Sequence, residues 1–116
     1  LHIGIMAMIN KLKFLLFISS LFFSACNKTP GEKIFKDRKF ANNKKIVSCS
    51  YCHSGGTKLD GVATQSTFDI DGVTYNSIEN VINQVMIKQF MQGDPIDINS
   101  QQMKDLVAYI KKISIK

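Results

Sequence analysis

The 116-residue sequence contains no tryptophan, two prolines, two histidines and three cysteines. These shortages exclude several function classes. A structural zinc site draws on about four nitrogen or sulfur ligands. Beyond Cys49, Cys52 and His53 the histidines and cysteines are only His2 and Cys26, and both have a better explanation in the N-terminal segment. A thioredoxin-like dithiol needs a βαβ frame around its cysteines, and no such alternation is visible. There is also no internal repeat, no phosphate-cradling glycine loop, no catalytic pair of acids and no nucleic-acid-binding motif. Enzymatic turnover of a small-molecule substrate and nucleic acid partners are therefore not expected. The length fits one domain. Acids are scarce too, nine against fifteen Lys and Arg, for a net charge of +6.

What is present centres on Cys49-Ser50-Tyr51-Cys52-His53. This is a C-x-x-C-H run, the attachment sequence of c-type haem. Two thiols add across the two vinyl groups of haem to form thioethers, and two intervening residues let one turn span both. The imidazole that follows is then placed to reach the iron. The bland alternative for the same residues is a Cys49–Cys52 disulfide. The cofactor expected is one covalent haem c, with Cys49, Cys52 and His53 as its attachment and proximal ligand residues.

Residues 1–25 read as a signal peptide. Counting from Met8, Lys11 and Lys13 form a basic start, Phe14 to Phe23 an apolar core, and Ser24-Ala25 a small-residue exit before Cys26. The core of about ten residues is short for a membrane span of about twenty. Phe23-Ser24-Ala25-Cys26 resembles a bacterial lipobox, with Phe23 where Leu is commonest. Cys26 is the expected lipidation site, and residues 26–30 form the lipidated cysteine and a short linker. That linker reaches little more than about 13 Å, so the domain is expected to sit close to a bilayer. The alternatives are an uncleaved anchor or a secreted form. Residues 31–116 form the domain proper.

Helical periodicity appears three times. Gly31 to Phe40 predicts a first helix with Ile34 and Phe35 on its apolar side. Ser77 is a good N-cap before Ile78, Val81, Ile82 and Val85, predicting a helix to about Phe90 that Gly93-Asp94-Pro95 stops. Asn99 or Ser100 caps a last helix whose apolar face is Met103, Leu106, Val107, Ile110 and Ile113. Ser54-Gly55-Gly56 allows tight passage of backbone beside a flat ligand. Lys58 to Val73 carries Asp60-Gly61 and Asp71-Gly72 turn signals but few apolar runs, and reads as a loop wrapping the cofactor. The expectation is an all-α domain of about three helices with long loops around one haem. So small a domain buries little core unaided.

The order of these parts resembles class I cytochrome c, on Gly31-Glu32-Lys33-Ile34-Phe35, the Cys49–His53 motif, a methionine in the second half, and Leu106-Val107-Ala108-Tyr109-Ile110. The resemblance implies a small cytochrome c-like fold in which the first helix crosses the last through Gly31, Phe35 and Tyr109. It also implies export, because haem is attached outside the cytoplasmic membrane. A narrower similarity, on Ile82-Asn83 through Met91-Gln92-Gly93, is to cytochromes of bacterial thiosulfate oxidation. That pattern has an Arg before the Ile-Asn pair and a Cys soon after it, where this chain has Val81 and Val85, and its activity is not carried over.

His2 falls in the signal segment, so the distal iron position is expected to take Met, Lys, water or nothing. The resemblance points to Met91, before Gly93-Asp94-Pro95 at a helix-to-loop junction. Met86, inside the second helix, is the alternative, and Met103 reads as core. Three functions stay open: a membrane-anchored periplasmic-side electron carrier, an electron-transfer subunit of a larger oxidoreductase, and a haem sensor or gas-binding module with an open sixth site. Setting aside Lys11 and Lys13 leaves Lys and Arg about four in excess of the nine acids. With Lys44, Lys45 and Lys58 flanking the haem motif, redox partners with an acidic surface are expected.

Overall fold

The computed structural model describes residues 27–115, so the expected signal peptide and the expected lipidation site at Cys26 lie outside the described residues. Thr29-Pro30-Gly31-Glu32 starts helix α1, Pro30–Phe35. Proline suits the first helical position because it has no N–H to leave unpaired. The Thr29 hydroxyl accepts the Glu32 N–H at 3.3 Å. The helix is shorter than its predicted span to Phe40. The Asp37 carboxylate takes the Lys39 N–H at 2.8 Å, a local bond that competes with helix continuation. Phe40 instead begins a separate 3₁₀ turn, Phe40–Asn42, and is buried with Phe35.

Helix α2 is the single turn Cys49–Cys52. After 3₁₀ turns at Ser54–Gly56 and Val62–Thr64 comes a feature the loop reading of residues 58–73 did not include. Strands β1, Phe68–Ile70, and β2, Val73–Tyr75, pair antiparallel with Ile70 opposite Val73. Asp71 (φ 50) and Gly72 (φ 80) form the two-residue turn between them. Positive φ at both central positions is what a tight hairpin requires, and Asp-Gly supplies it. The domain is thus four helices and loops with one small sheet, rather than helices alone.

Helix α3, Ile78–Val81, starts with Ser77 accepting the Asn80 N–H at 3.2 Å. It continues as a π-helix over Ile82–Met91. Its extent matches the predicted helix to within a residue, but the winding was not predicted. Bonds from i to i+5 bring residues four and five apart onto one face. Ile82, Ile87 and Met91, spaced in that way, all join the buried core. The segment ends at Gln92 (φ 54, ψ 50), where the Gly93 N–H reaches back to the Ile87 carbonyl at 2.8 Å.

Helix α4, Gln101–Ile113, is capped by Ser100, which accepts the Met103 N–H at 3.1 Å. Met103, Leu106, Val107 and Ile110 are buried, while Lys104, Lys111 and Lys112 are exposed, as the periodicity predicts. α1 crosses α4 at Gly31. A Cβ there would collide with the Asp105 carbonyl oxygen and stand 2.7 Å from Tyr109 Cβ. Beside the crossing, the Phe35 and Tyr109 rings meet edge to face, centroids 5.3 Å apart at 63°, a favoured aromatic geometry. The crossing implied by Gly31, Phe35 and Tyr109 is therefore present.

Candidate haem site

The approach to Cys49 is built on Asn43, which is buried. Its amide nitrogen donates to the carbonyls of Arg38 (3.0 Å) and Phe40 (2.8 Å), and its oxygen accepts the Val47 N–H at 3.0 Å. One polar side chain thus folds residues 38–47 into a fixed loop. The same stretch is laid against the end of the π-helix. Lys44 N–H donates to the Gln92 carbonyl at 3.1 Å, Lys45 N–H to the Met91 carbonyl at 3.3 Å, and Asp94 N–H to the Ala41 carbonyl at 2.8 Å.

Ser48 leads into α2, and the His53 N–H closes the turn on the Cys49 carbonyl at 3.0 Å. Both thiols and the imidazole therefore issue from one helical turn. Both cysteines are free, Cys49 half-buried and Cys52 exposed. Cys49 packs against the core. Burial pushes its thiol up to about 11, with a smaller upward push from Cys52. The surroundings favour a neutral sulfur, which a thioether is.

His53 Nδ1 lies 2.9 Å from the Thr57 carbonyl oxygen. A carbonyl only accepts, so Nδ1 carries the hydrogen and Nε2 keeps a free lone pair for a metal. Thr57 is held in turn, its N–H donating to the Ser54 carbonyl at 3.2 Å and its hydroxyl to the same oxygen. Gly56 (φ 84) lets this turn approach the end of α4, where a Cβ would stand 2.5 Å from the Ile113 carbonyl oxygen. The close approach is therefore made by Gly56 against α4, whereas a Cβ at Gly55 would meet nothing within 4 Å. Two thiols on one turn and an adjacent imidazole with Nε2 free make up the protein's donor set for c-type haem. These residues fit the group.

Among the methionines, Met91 is 5 % exposed and part of the core, and Met103 is fully buried in α4. Met86 is half-buried. Val85, where the thiosulfate-oxidation pattern has Cys, is 1 % exposed, a hydrocarbon with no lone pair to offer. Lys44, Lys45 and Lys58 are all exposed. Sequence reasoning missed Asn43 and the Thr57 carbonyl. Neither leaves a signal, because a backbone acceptor has no residue type and a buried Asn looks like any loop Asn. Among the described residues no three His, Cys, Asp or Glu gather as a metal cluster, and no helix is long and apolar enough to cross a membrane.

Comparison with curated proteins and with solved structures gives no match. The family model described as SoxA/TsdA, cytochrome c domain, matches residues 30–116. That span takes in the Gly31 crossing, the Cys49–His53 turn, the Ile82–Met91 π-helix and α4. On that match and the donor set just described, the chain belongs to the SoxA/TsdA cytochrome c domain family, class I c-type cytochromes that carry covalent haem c.

Proposed function

We propose that this protein is a membrane-anchored monohaem cytochrome that passes single electrons between redox partners on the periplasmic side, without chemistry on a substrate. The observation that carries the reading is the His53–Thr57 bond of 2.9 Å. It fixes the tautomer that leaves Nε2 for iron, one residue beyond the two thiols. A single C-x-x-C-H run in the sequence supports one haem. Cys26 is the proposed lipid anchor, supported by the basic, apolar and small-residue order before it.

Met91 is the proposed distal ligand. Its carbonyl bond to Lys45 N ties it to a segment four residues ahead of Cys49, within about 14 Å along the chain. Met86 is the second reading, favoured by its half-exposed side chain. Met91 has a packing role in the core and Met86 does not. With thioether ligation, the chain would set the haem potential through the axial sulfur, the burial of the site and the bond on His53. Lys44, Lys45 and Lys58 would draw in acidic partners. Membership of the SoxA/TsdA family favours a second functional reading, in which the same domain serves as the electron-transfer subunit of a larger oxidoreductase.

The deciding experiment is the optical spectrum of the matured protein in membranes, with and without carbon monoxide, alongside its denatured mass. One added haem and a six-coordinate low-spin reduced form that resists carbon monoxide support the carrier. A mass showing only a disulfide would sink the haem assignment, and ready carbon monoxide binding would favour a sensor. Co-purification with a larger enzyme would favour the subunit reading.

A further inference from the structure

Ile46 has φ 55 and is 57 % exposed. A β-branched residue in the left-handed region is an outlier, and backbone of that kind suits Gly or Asn. Ile46 is held there from both sides. The Arg38 Nε–H donates to its carbonyl at 3.2 Å, and Asn43 takes the next N–H, that of Val47, at 3.0 Å. The surroundings thus over-determine an unfavourable conformation, a pattern that marks functional positions. Neither the backbone nor burial accounts for isoleucine at this position. The backbone would be easier with Asn, and a side chain left mostly in water gains little from being apolar.

We infer that Ile46 is an apolar contact point for an acidic redox protein, presented between the cations of its own loop and the haem turn. The inference rests on the electron-carrier reading and deepens it. Lys44 and Lys45 precede Ile46 directly, and both are exposed. Cys49 lies three residues on, at most about 11 Å along the chain. Tyr51, inside the attachment turn, is 77 % exposed. An apolar centre beside a cationic rim matches a partner with the complementary pattern, because charge steers the encounter while a desolvated apolar contact holds the complex. The lysines alone would attract any anion. Ile46 adds discrimination in favour of a protein surface.

The test uses matured, haem-loaded protein and Ile46→Asn, with Lys44→Glu/Lys45→Glu as a second variant. Electron transfer is measured to an acidic blue-copper protein and to hexacyanoferrate, a small anion that makes no apolar contact. Ile46→Asn should keep the haem spectrum and potential and melt no lower than wild type, since strain is relieved. Its second-order rate with the copper protein should fall about three- to tenfold, with hexacyanoferrate unchanged. The double lysine variant should slow both acceptors, more so at low salt. An unchanged copper-protein rate in Ile46→Asn overturns the inference. So does an altered spectrum or potential, which would make Ile46 part of the haem packing. Loss of binding to anionic phospholipid vesicles in the Asn variant also overturns it, making Ile46 a membrane contact. If wild type transfers electrons to neither acceptor, the carrier reading itself fails, and the outcomes are distinguishable.

Discussion

The carboxamide of Asn83 satisfies both backbone groups of Ile96, donating to its carbonyl at 2.8 Å and accepting its N–H at 3.0 Å. Asn83 is 5 % exposed and sits in the first turn of the π-helix. Ile96 belongs to the connection that carries the chain from Met91 to α4. One side chain therefore fixes how the chain leaves the helix that bears Met86 and Met91. Asn83→Ala would strand a donor and an acceptor in a part-buried place. Each orphaned group costs about 1–3 kcal/mol when fully buried. Both are only part-buried, so a loss in the lower part of the summed range, roughly 2–4 kcal/mol, is expected in urea unfolding of the matured protein. Asn83→Asp keeps the acceptor but sets a carboxylate oxygen against the Ile96 carbonyl. It should therefore recover little of that loss at neutral pH. If Asn83→Ala melts like wild type, the bidentate tie does not hold the connection.

The α1–α4 crossing gives a second test. Gly31 has no room for a methyl group, since the obstacles are the Asp105 backbone carbonyl and the Tyr109 Cβ rather than a flexible side-chain tip. Gly31→Ala must push the two helices apart and disturb the Phe35–Tyr109 contact. Overpacking of this kind costs about 1–3 kcal/mol, despite alanine's better helix propensity. The checks are the denaturant midpoint and the near-ultraviolet signal of Tyr109. A rise in stability would show that the crossing is looser than the geometry indicates.

Much of this architecture is legible in the sequence, for identifiable reasons. α4 is readable because Met103, Leu106, Val107 and Ile110 repeat at helical spacing over about two turns and Ser100 caps them. Three fixed offsets made the Cys49–His53 turn readable. The hairpin was hidden because strands of three residues give almost no alternation to count, although Asp71-Gly72 announced its turn. The early end of α1 is hard to read, because Lys36, Lys39 and the residues between are compatible with a solvated helix face, while the Asp37 bond that breaks the helix is a side-chain event. The π winding of Ile82–Met91 was invisible because pattern reasoning assumes 3.6 residues per turn. At that spacing Met91 lies well away from Ile82, whereas in the structure the two share the core.

Membrane attachment is tested at Cys26, outside the described residues. Cys26→Ala should release the protein from the membrane fraction, or stop its maturation there, without changing the haem spectrum. The proposed attachment is through acyl chains on Cys26. Mass spectrometry of wild-type protein should show lipid on the cysteine. Wild-type protein lacking acyl mass would refute the anchor.

The distal ligand separates two methionines in different surroundings. Met91 is nearly fully buried and packed in the core, so Met91→Ala should cost roughly 2–5 kcal/mol whatever the sulfur does. Stability therefore cannot identify the ligand. Met86 is half-buried, and its truncation should cost less. The discriminating readout is the weak sulfur-to-iron charge-transfer band of the ferric protein, together with the potential. If Met91 supplies the sulfur, its removal abolishes the band and lowers the potential, because loss of the thioether favours ferric iron. Carbon monoxide then gains access to the ferrous form. Met91→Leu refines the test, since it keeps most of the core volume and should retain most of the stability while still losing the band. Met86→Leu should leave band, potential and carbon monoxide resistance intact. If the band instead disappears with Met86→Leu and survives Met91→Leu, the ligand is Met86 and Met91 is core packing. If both variants keep the band, the sulfur belongs to neither, and Met103, fully buried in α4, becomes the residue to replace.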